Sequence, residues 1–261
     1  MSDALQNEHN LPVTSETGHA TPQAPHRRIR SFVRRAGRIT PAQERALNSA
    51  WPTFGIEFET DSRSDSLAEK PDKKALDLDQ IFGRTAHTVL EIGFGNGDTL
   101  AQNAQLRPEV NFLGVEVHRA GVGRLLHEAV QRQLRNVKVI CHDAVEVLDQ
   151  LAPSSLDEVW VLFPDPWHKA RHHKRRLIQP PFVDLLVTRM KLSGHLHLAT
   201  DWQAYAEQML AVLDANAQLK NRTQSESGFT DRPAWRPLTR FERRGQRLGH
   251  GVWDLNFERI S

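Results

Sequence analysis

The sequence predicts an α/β fold with a doubly wound, mostly parallel sheet, and three observations support this prediction. Short apolar runs alternate with helix-forming runs through most of the chain. A glycine-rich turn follows the first apolar run, and an acidic residue stands at the end of each of the first three apolar runs. Because strands buried on both faces are apolar throughout, this alternation indicates a parallel sheet covered by helices on both sides. Right-handed crossovers between the strands then give the doubly wound arrangement.

Composition is that of a globular protein rather than a membrane or disulfide-rich one. The chain has 261 residues, 25% of them charged, and a formal net charge of +2, which suits one domain with some additional segments. Its one cysteine, Cys141, excludes an intramolecular disulfide and a cysteine-based zinc cluster. No apolar run reaches membrane-spanning length and the N-terminus lacks a signal-peptide pattern, so we expect a cytoplasmic protein.

The N-terminal part of the chain combines a tail, a basic segment and one clear helix. Residues 1–26 are polar and have no periodicity, so we predict a disordered tail. Residues 27–38 contain six arginines, and we expect this basic segment to begin the single domain that residues 27–261 form. A helix is predicted over residues 40–50, and the polar residues 61–80 are predicted to form a loop.

Strands and helices then alternate regularly. The predicted strands are residues 87–93, 112–118, 137–143, 158–165 and 195–201, and the predicted helices are residues 98–106, 119–135, 144–151, 179–192 and 202–217. We expect residues 219–261, which carry scattered strand signals, to complete the edge of the sheet.

The turn after the first predicted strand is a candidate site for a cationic ligand. It has Gly93, Gly95 and Gly97 at every second position, whereas a dinucleotide fingerprint has the spacing G-x-G-x-x-G. Glu91 precedes these glycines, and its carboxylate would repel a pyrophosphate. The same carboxylate suits a ligand with an ammonium group and a sulfonium. S-adenosylmethionine is such a ligand, so the turn predicts a site for it.

Two further acids follow the next two strands. Glu116 ends the second strand, where a carboxylate can accept hydrogen bonds from ribose hydroxyls, and Asp143 ends the third, where it can accept one from an adenine amino group. Taken singly, each acid is equally well explained as a solvated loop residue or as the N-cap of the next helix. Together with the glycine turn, they predict a methyl-donor site at one edge of the sheet.

The fourth strand leads into a candidate substrate turn. Pro164 and Pro166 stiffen the chain around Asp165, which is expected beside the reacting methyl group, and Trp167 offers a face on which a base can stack. The residues that follow include five cations that can neutralise phosphates, namely Lys169, Arg171, Lys174, Arg175 and Arg176.

Basic residues recur in three separate stretches of the chain. Besides residues 168–176 they are residues 27–38 and the group Arg240, Arg243, Arg244 and Arg247. One such run is usually a solvated surface. Because the middle run adjoins the expected reaction centre, the three together indicate a footprint for nucleic acid.

These motifs resemble the bacterial tRNA (guanine-N7-)-methyltransferases. The matching stretches extend from about residue 27 to the C-terminus, and they are IRSFVRRAGRIT, WPTFGIEF, LEIGFGNGDTL, VLFPDPWHKARHHKRR, HLHLATDW and TRFERRGQRLGHGVWDLNFER. The PDPWHKARHHKRR and TRFE strings are far more specific than the glycine turn.

The resemblance implies a seven-stranded class I S-adenosylmethionine-dependent methyltransferase fold, Rossmann-like, that forms 7-methylguanosine in the tRNA variable loop. It implies that Glu91, Glu116, Asp143 and Asp165 line the donor site, with Asp165 as the catalytic acid. Substrate guanine would be met by Lys169, Asp201, Thr239, Arg240, Phe241 and Glu242. RNA would be contacted by Arg171, Lys174, Arg175 and Arg176. We expect a monomer.

Three other classes of protein remain as alternatives. A nicotinamide oxidoreductase is disfavoured by the acid before the glycines and by their spacing. A small-molecule methyltransferase is disfavoured by the basic loop, and a silent RNA-binding module by the four acids of the donor site. His195 and His197 lie on one strand face like a metal pair, but without a third ligand at suitable spacing we favour sheet packing and expect no metal.

Overall fold

A seven-stranded sheet forms the centre of the protein. The computed structural model describes residues 30–32, 38–58, 75–238, 242 and 251–261. The strands are β1 (Thr88–Ile92), β2 (Asn111–Val115), β3 (Val137–Ile140), β4 (Leu156–Leu162), β5 (Met190–Thr200), β6 (Leu219–Asn221) and β7 (Trp253–Arg259). Their order in the sheet is β3-β2-β1-β4-β5-β7-β6. The first five are parallel, and β7 lies antiparallel between β5 and β6. The doubly wound prediction is therefore confirmed, as is the C-terminal edge.

Helices cover both faces of the sheet. They are α1 (Pro41–Ser49), α2 (Trp51–Phe54), α3 (Leu78–Phe82), α4 (Asp98–Leu106), α5 (Arg119–Gln131), α6 (Ala144–Gln150), α7 (Pro180–Arg189) and α8 (Gln203–Asp214), with a 3-10 helix at Ala170–Arg175. Successive strand residues point to opposite faces, so Val89 and Leu90 of β1 belong to two different apolar clusters. All five residues of β1 are buried, as expected of a central parallel strand.

Several element predictions were wrong in their bounds. The helices predicted to reach residues 135 and 217 end at Gln131 and Asp214. Helix α3 begins inside the region predicted to be a loop and extends beyond it; Asp77 accepts a hydrogen bond from the Gln80 amide (3.1 Å) at its start, and Gly83 ends the helix in the left-handed region (φ 67°). The helix predicted to reach residue 192 ends at Arg189, because the chain is already extended at Met190 (φ −75°, ψ 147°) and pairs there with Leu156.

Several predictions fall outside the described residues. They concern the tail at residues 1–26, most of the basic segment 27–38 and the larger part of the predicted loop 61–80. No helix of the described part of the chain has the length and apolar character needed to span a membrane.

Candidate functional site

The carboxyl ends of strands β1 to β4 surround an open cleft of about 170 Å³. Among the predicted site residues, Gly93, Glu116, Asp143 and Asp165 line the cleft. Acids from the ends of three different strands thus meet at one edge of the sheet, where doubly wound folds bind ligands.

The glycine turn brings the backbone close to this cleft. Gly93, Gly95 and Gly97 all have positive φ (72°, 58° and 75°), a conformation that other residues rarely adopt. A side chain at Gly97 would also come within 2.8 Å of Leu125 on helix α5. Helix α5 approaches the turn so closely that a Cβ at Gly121 would lie 2.1 Å from the carbonyl oxygen of Gly95. Gly121 is a site-shaping residue that the sequence pattern did not reveal.

Glu91 is buried at the base of the turn. Its side chain belongs to β1, and among the described residues its Oε2 has no hydrogen-bond partner. Burial raises the pKa of Glu91 from its ordinary 4.5 to about 8, and the negative charges of Glu116 and Asp98 add to the effect. A buried, unpaired carboxyl is costly, so this position is suited to a cation that supplies both charge and hydrogen bonds.

Glu116 organises the turn as well as facing the cleft. Its Oε2 accepts a hydrogen bond from the Gly95 amide (2.9 Å), and its Oε1 accepts from the Val117 and His118 amides (2.7 and 2.9 Å). The side chain also borders a second, adjoining cavity that includes Gly95 and Asn96. An ionised carboxylate has about four acceptor positions, so one remains for a ligand hydroxyl.

Asp143 caps a helix and also lines the cleft. Its Oδ1 accepts a hydrogen bond from the Val145 amide (3.0 Å) and so caps helix α6. The residue also lines the cleft, beside His142 and Ala144. On the outer side, Phe58 stacks on the ring of His142 with 4.5 Å between the ring centroids.

The turn that carries Asp165 is strained and firmly held. Phe163 and Trp167, at its two ends, both have positive φ (55° and 47°), which is unusual for bulky residues. The Phe163 amide donates to the Ala199 carbonyl (2.7 Å) on β5, and Arg176 Nε donates to the Pro166 carbonyl (2.8 Å). Such strain persists only where neighbouring structure fixes the backbone, and it is typical of functional sites.

A short N-terminal stretch lies over the cleft. Ser31 and Phe32 line it from above. Trp167 Nε1 donates a hydrogen bond to the Ser31 carbonyl (3.0 Å), and the Arg175 guanidinium donates to the Arg30 and Phe32 carbonyls (3.3 and 3.4 Å). Arg175 also stacks on Trp167, with its guanidinium carbon 4.0 Å from the ring centroid. The predicted base-stacking face of Trp167 is therefore covered by Arg175 in this structure.

This arrangement predicts that Trp167 supports donor binding. Replacing Trp167 by Ala removes the bond to Ser31 and the stacking with Arg175, so we expect donor affinity to fall by about 30-fold, since the two interactions together are worth about 2 kcal/mol. Trp167→Phe keeps the ring and loses only the N–H, so its effect should be smaller. Titration calorimetry with S-adenosylhomocysteine measures both, and equal affinity for wild type and Trp167→Ala would contradict the prediction.

The basic loop contains cations of two kinds. Lys169, Arg171 and Lys174 are exposed, so they are available to phosphates. Arg176 is only 3% exposed. Besides its bond to Pro166, it donates to the Ala204 carbonyl (3.4 Å) and to Gln208, and it lies 4.7 Å from the Tyr205 ring centroid. Arg176 is thus a buried residue bonded to other parts of the protein, whereas the sequence analysis predicts that it contacts RNA.

The remaining predicted substrate residues are found in different surroundings. Asp201 is half-buried just after β5, whose residue Ala199 pairs with Leu162 of β4, so Asp201 and Asp165 follow neighbouring strand ends. Thr239, Arg240 and Phe241 lie outside the described residues. Glu242 is 1% exposed, and its Oε1 accepts a hydrogen bond from Arg236 Nη1 (2.6 Å).

The histidines of β5 are built into the sheet. His197 is buried and its Nε2 lies 2.9 Å from Oδ1 of Asp254 on β7, while His195 Nδ1 is 3.4 Å from Asn256 Oδ1. Within the part of the chain that the structure describes, no group of three or more His, Cys, Asp or Glu residues could hold a metal ion.

Comparison with known proteins gives consistent results. A family model described as "Putative methyltransferase" matches residues 85–255. The tRNA (guanine-N(7)-)-methyltransferase of Paraburkholderia xenovorans is 52% identical over 263 residues, which cover 99% of this chain and 95% of that protein. The enzyme of the same name from Serratia proteamaculans is 50% identical over 95% of this chain and 96% of that protein.

Solved structures agree at the level of the fold. The crystal structure of the 16S rRNA methyltransferase KamB superposes with a TM-score of 0.51 and 16% identity, and the match covers 72% of this chain and 96% of that one. At this identity the likeness concerns the arrangement of strands and helices alone.

Proposed function

The chain belongs to the family of tRNA (guanine-N7-)-methyltransferases, and from this premise we propose that it transfers a methyl group from S-adenosylmethionine to N7 of a guanine in the tRNA variable loop. The observation that carries the proposal is the position of Asp165. It lines the carboxylate-rich cleft and stands four residues before Lys169, where the basic loop starts. Donor site and RNA-binding loop therefore meet at one turn. We expect the enzyme to act as a cytoplasmic monomer without a metal.

The residues of the cleft fit the methyl donor, which supplies an electrophilic methyl group on a sulfonium sulfur. We propose that Glu91 pairs with the donor's ammonium group, because its buried Oε2 has no partner within the described structure. The three glycines of the turn, Gly93, Gly95 and Gly97, allow the donor to approach the backbone closely. Glu116 retains one acceptor position for a ribose hydroxyl, and Asp143 retains acceptor capacity for an adenine amino group.

The acceptor atom determines what the protein has to do. Guanine N7 is a hydrogen-bond acceptor with a free lone pair and no proton, so attack on the methyl carbon requires no general base. The main task is alignment, which can supply about 7–11 kcal/mol in the best-oriented systems. The strained turn at Asp165 is suited to this task, because hydrogen bonds from Phe163 and to Pro166 hold its backbone.

Carboxylates near the turn can stabilise the product charge and select the base. Methylation places positive charge on the purine, which a fixed carboxylate such as Asp165 or Asp201 stabilises. The same groups can accept hydrogen bonds from guanine N1 and N2. Adenine lacks these donors and would leave a carboxylate unpaired, which makes its binding costly.

The two kinds of cation in the basic loop should behave differently towards salt. Replacing exposed Arg171 or Lys174 by Gln should weaken tRNA binding and lower the slope of log affinity against log salt by about 1 for each phosphate that is no longer neutralised. Arg176→Gln should leave that slope unchanged and lower the melting temperature, since the side chain is buried. Filter binding across a salt series measures the slopes, and an equal change for Arg176→Gln would contradict the assignment.

The proposed acceptor atom is tested with a matched pair of tRNA transcripts. One is unmodified, and the other contains 7-deazaguanosine, in which a carbon replaces N7. With donor carrying a labelled methyl group, label should enter the first transcript and not the second. Equal labelling of both would contradict methylation at N7, and labelling of neither would contradict tRNA as the substrate.

A further inference from the structure

A buried arginine links the C-terminal strand to the end of the TRFE segment. Arg236 has no exposed surface and is among the largest fully buried side chains of the described structure. Removing a guanidinium from water is expensive unless it is paired and hydrogen-bonded. We therefore expect the hydrogen-bond partners of Arg236 to be required for keeping this charge inside the protein.

The first partner of Arg236 is a fixed point of the sheet. Arg236 Nε and Nη2 donate to the two carboxylate oxygens of Asp254 at 2.9 and 2.7 Å, a bidentate geometry that sets direction as well as distance. Asp254 is 2% exposed and lies on β7 opposite Ala199, whose carbonyl accepts the Phe163 amide. The arginine is thus anchored beside the strand ends that carry Asp165 and Asp201.

The second partner belongs to the proposed substrate segment. Arg236 Nη1 donates to Glu242 Oε1 at 2.6 Å, and both side chains are buried. The same guanidinium lies 5.3 Å from the Phe163 ring centroid, at the start of the strained turn. Glu242 is the last residue of the TRFE string, so this ion pair connects the end of that string to Arg236.

The backbone around Arg236 is itself held in place. Trp235 stacks on Trp160 of β4 with 4.0 Å between ring centroids and 12° between planes. The Trp235 carbonyl accepts a hydrogen bond from Asn103 Nδ2 (3.0 Å) on helix α4, which follows the glycine turn. Contacts of Trp235 with the sheet and with helix α4 therefore hold the backbone next to Arg236.

We propose that Arg236 is a positioning residue, which holds Glu242 beside the strand ends that carry Asp165 and Asp201; this inference rests on the function proposed above. Glu242 is thereby anchored to the sheet through Arg236 and Asp254. The network does not contact the reacting atoms. Its contribution is alignment, for which a displacement of about 1 Å can cost about 100-fold in rate.

A set of four variants tests the proposal. Three of them are Arg236→Lys, Glu242→Gln and the double variant. Arg236→Lys keeps the positive charge and loses the bidentate geometry of the guanidinium. The fourth is the control Arg84→Lys, whose guanidinium binds Asn111 and Pro108 at the opposite edge of the sheet. We expect Arg236→Lys and Glu242→Gln each to lower kcat/KM for tRNA by about 10- to 100-fold with unchanged donor affinity. The double variant should lose no more than the worse single variant, because both changes disrupt one interaction.

Hydrogen–deuterium exchange gives a readout that does not depend on catalysis. Amides of residues 237–242 should exchange faster in Arg236→Lys and Glu242→Gln than in wild type or Arg84→Lys. Additive decreases in kcat/KM, full activity of Arg236→Lys, or unchanged exchange in Glu242→Gln would overturn the proposal. If wild type methylates no tRNA, the proposed function fails, while the exchange data still decide whether Arg236 positions this segment.

Discussion

Replacing Glu91 by Gln is expected to weaken binding of S-adenosylmethionine by about 10- to 100-fold and to stabilise the ligand-free protein at alkaline pH. The first effect follows because hydrogen bonds to charged groups contribute about 1.5–3 kcal/mol, and the amide cannot neutralise an ammonium group. The second follows because the amide cannot ionise, so it places no charge at a buried position where Oε2 of Glu91 has no partner within the described structure.

The pH dependence has a defined sign. Burial raises the pKa of Glu91 from its ordinary 4.5 to about 8, so between these values the folded protein retains a proton that the unfolded chain has lost. The free energy of unfolding therefore falls as pH rises through this window, by about 1.4 kcal/mol per pH unit from this group, and levels off above it. The Gln variant lacks this titration, so its advantage over wild type should grow with pH.

Two measurements check this prediction. Urea unfolding of the ligand-free proteins at about pH 5 and about pH 9 gives the stability difference at both ends of the window. Calorimetry gives the donor affinity. Glu109→Gln is the matched control, because Glu109 is an exposed carboxyl in the loop before β2. Equal donor affinity would show that Glu91 is not the cation-binding group, and a stability difference that does not change with pH would contradict the raised pKa of Glu91.

Replacing Asp165 by Asn should lower kcat for tRNA methylation by about 100- to 1000-fold, the usual cost of removing one preorganised electrostatic group. The side chain lines the cleft and its backbone is fixed by the bonds of Phe163 and Arg176. The isosteric amide should preserve that geometry while losing the charge that stabilises the methylated purine. Donor and tRNA affinities should remain those of wild type.

Asp201→Asn provides the comparison on the neighbouring strand end. Asp201 follows β5 and is not part of the cleft wall, so we expect its replacement to affect kcat less than Asp165→Asn does. Single-turnover rates with saturating donor separate chemistry from binding. A loss of tRNA or donor binding in Asp165→Asn with an unchanged single-turnover rate would remove Asp165 from the catalytic role.

The architecture and the grouping of the strand-end residues were predictable because they depend on local pattern. Alternating apolar and helical runs indicate a doubly wound sheet, and in such a sheet the strand ends necessarily converge. Gly93, Glu116, Asp143 and Asp165 could therefore be assigned to one edge from their places after successive strands, and the structure brings them together in the cleft.

The residues that the sequence did not reveal depend on contacts between distant segments. Gly121 resembles any helical glycine until its approach to Gly95 is seen. Arg175 and Arg176 are neighbours in a basic run, yet their contacts differ. Arg176 is buried, whereas Arg175 donates hydrogen bonds to the N-terminal stretch that lines the cleft. Burial of a cation among carbonyl groups depends on tertiary packing, for which charge patterning along the chain gives no signal.

The ion pairs of Arg236 with Glu242 and Asp254 illustrate the same limit on sequence patterns. Arg236, Glu242 and Asp254 are separated by six and twelve residues along the chain, and no periodicity relates them. Only the antiparallel pairing of β7 with β5 brings Asp254 opposite Ala199, whose carbonyl accepts the amide of Phe163 at the start of the turn that carries Asp165. The pairing of His197 with Asp254 arises from the same two strands.

The most direct test of the proposed function is the identity of the methylated nucleoside. Purified protein, unmodified tRNA and donor with a labelled methyl group are incubated, and the tRNA is digested to nucleosides for mass spectrometry. We predict that the label appears as 7-methylguanosine, from a guanine in the variable loop. Label on another base or another atom of guanine would contradict the proposed reaction, and unlabelled tRNA despite measurable donor binding would contradict tRNA as the substrate.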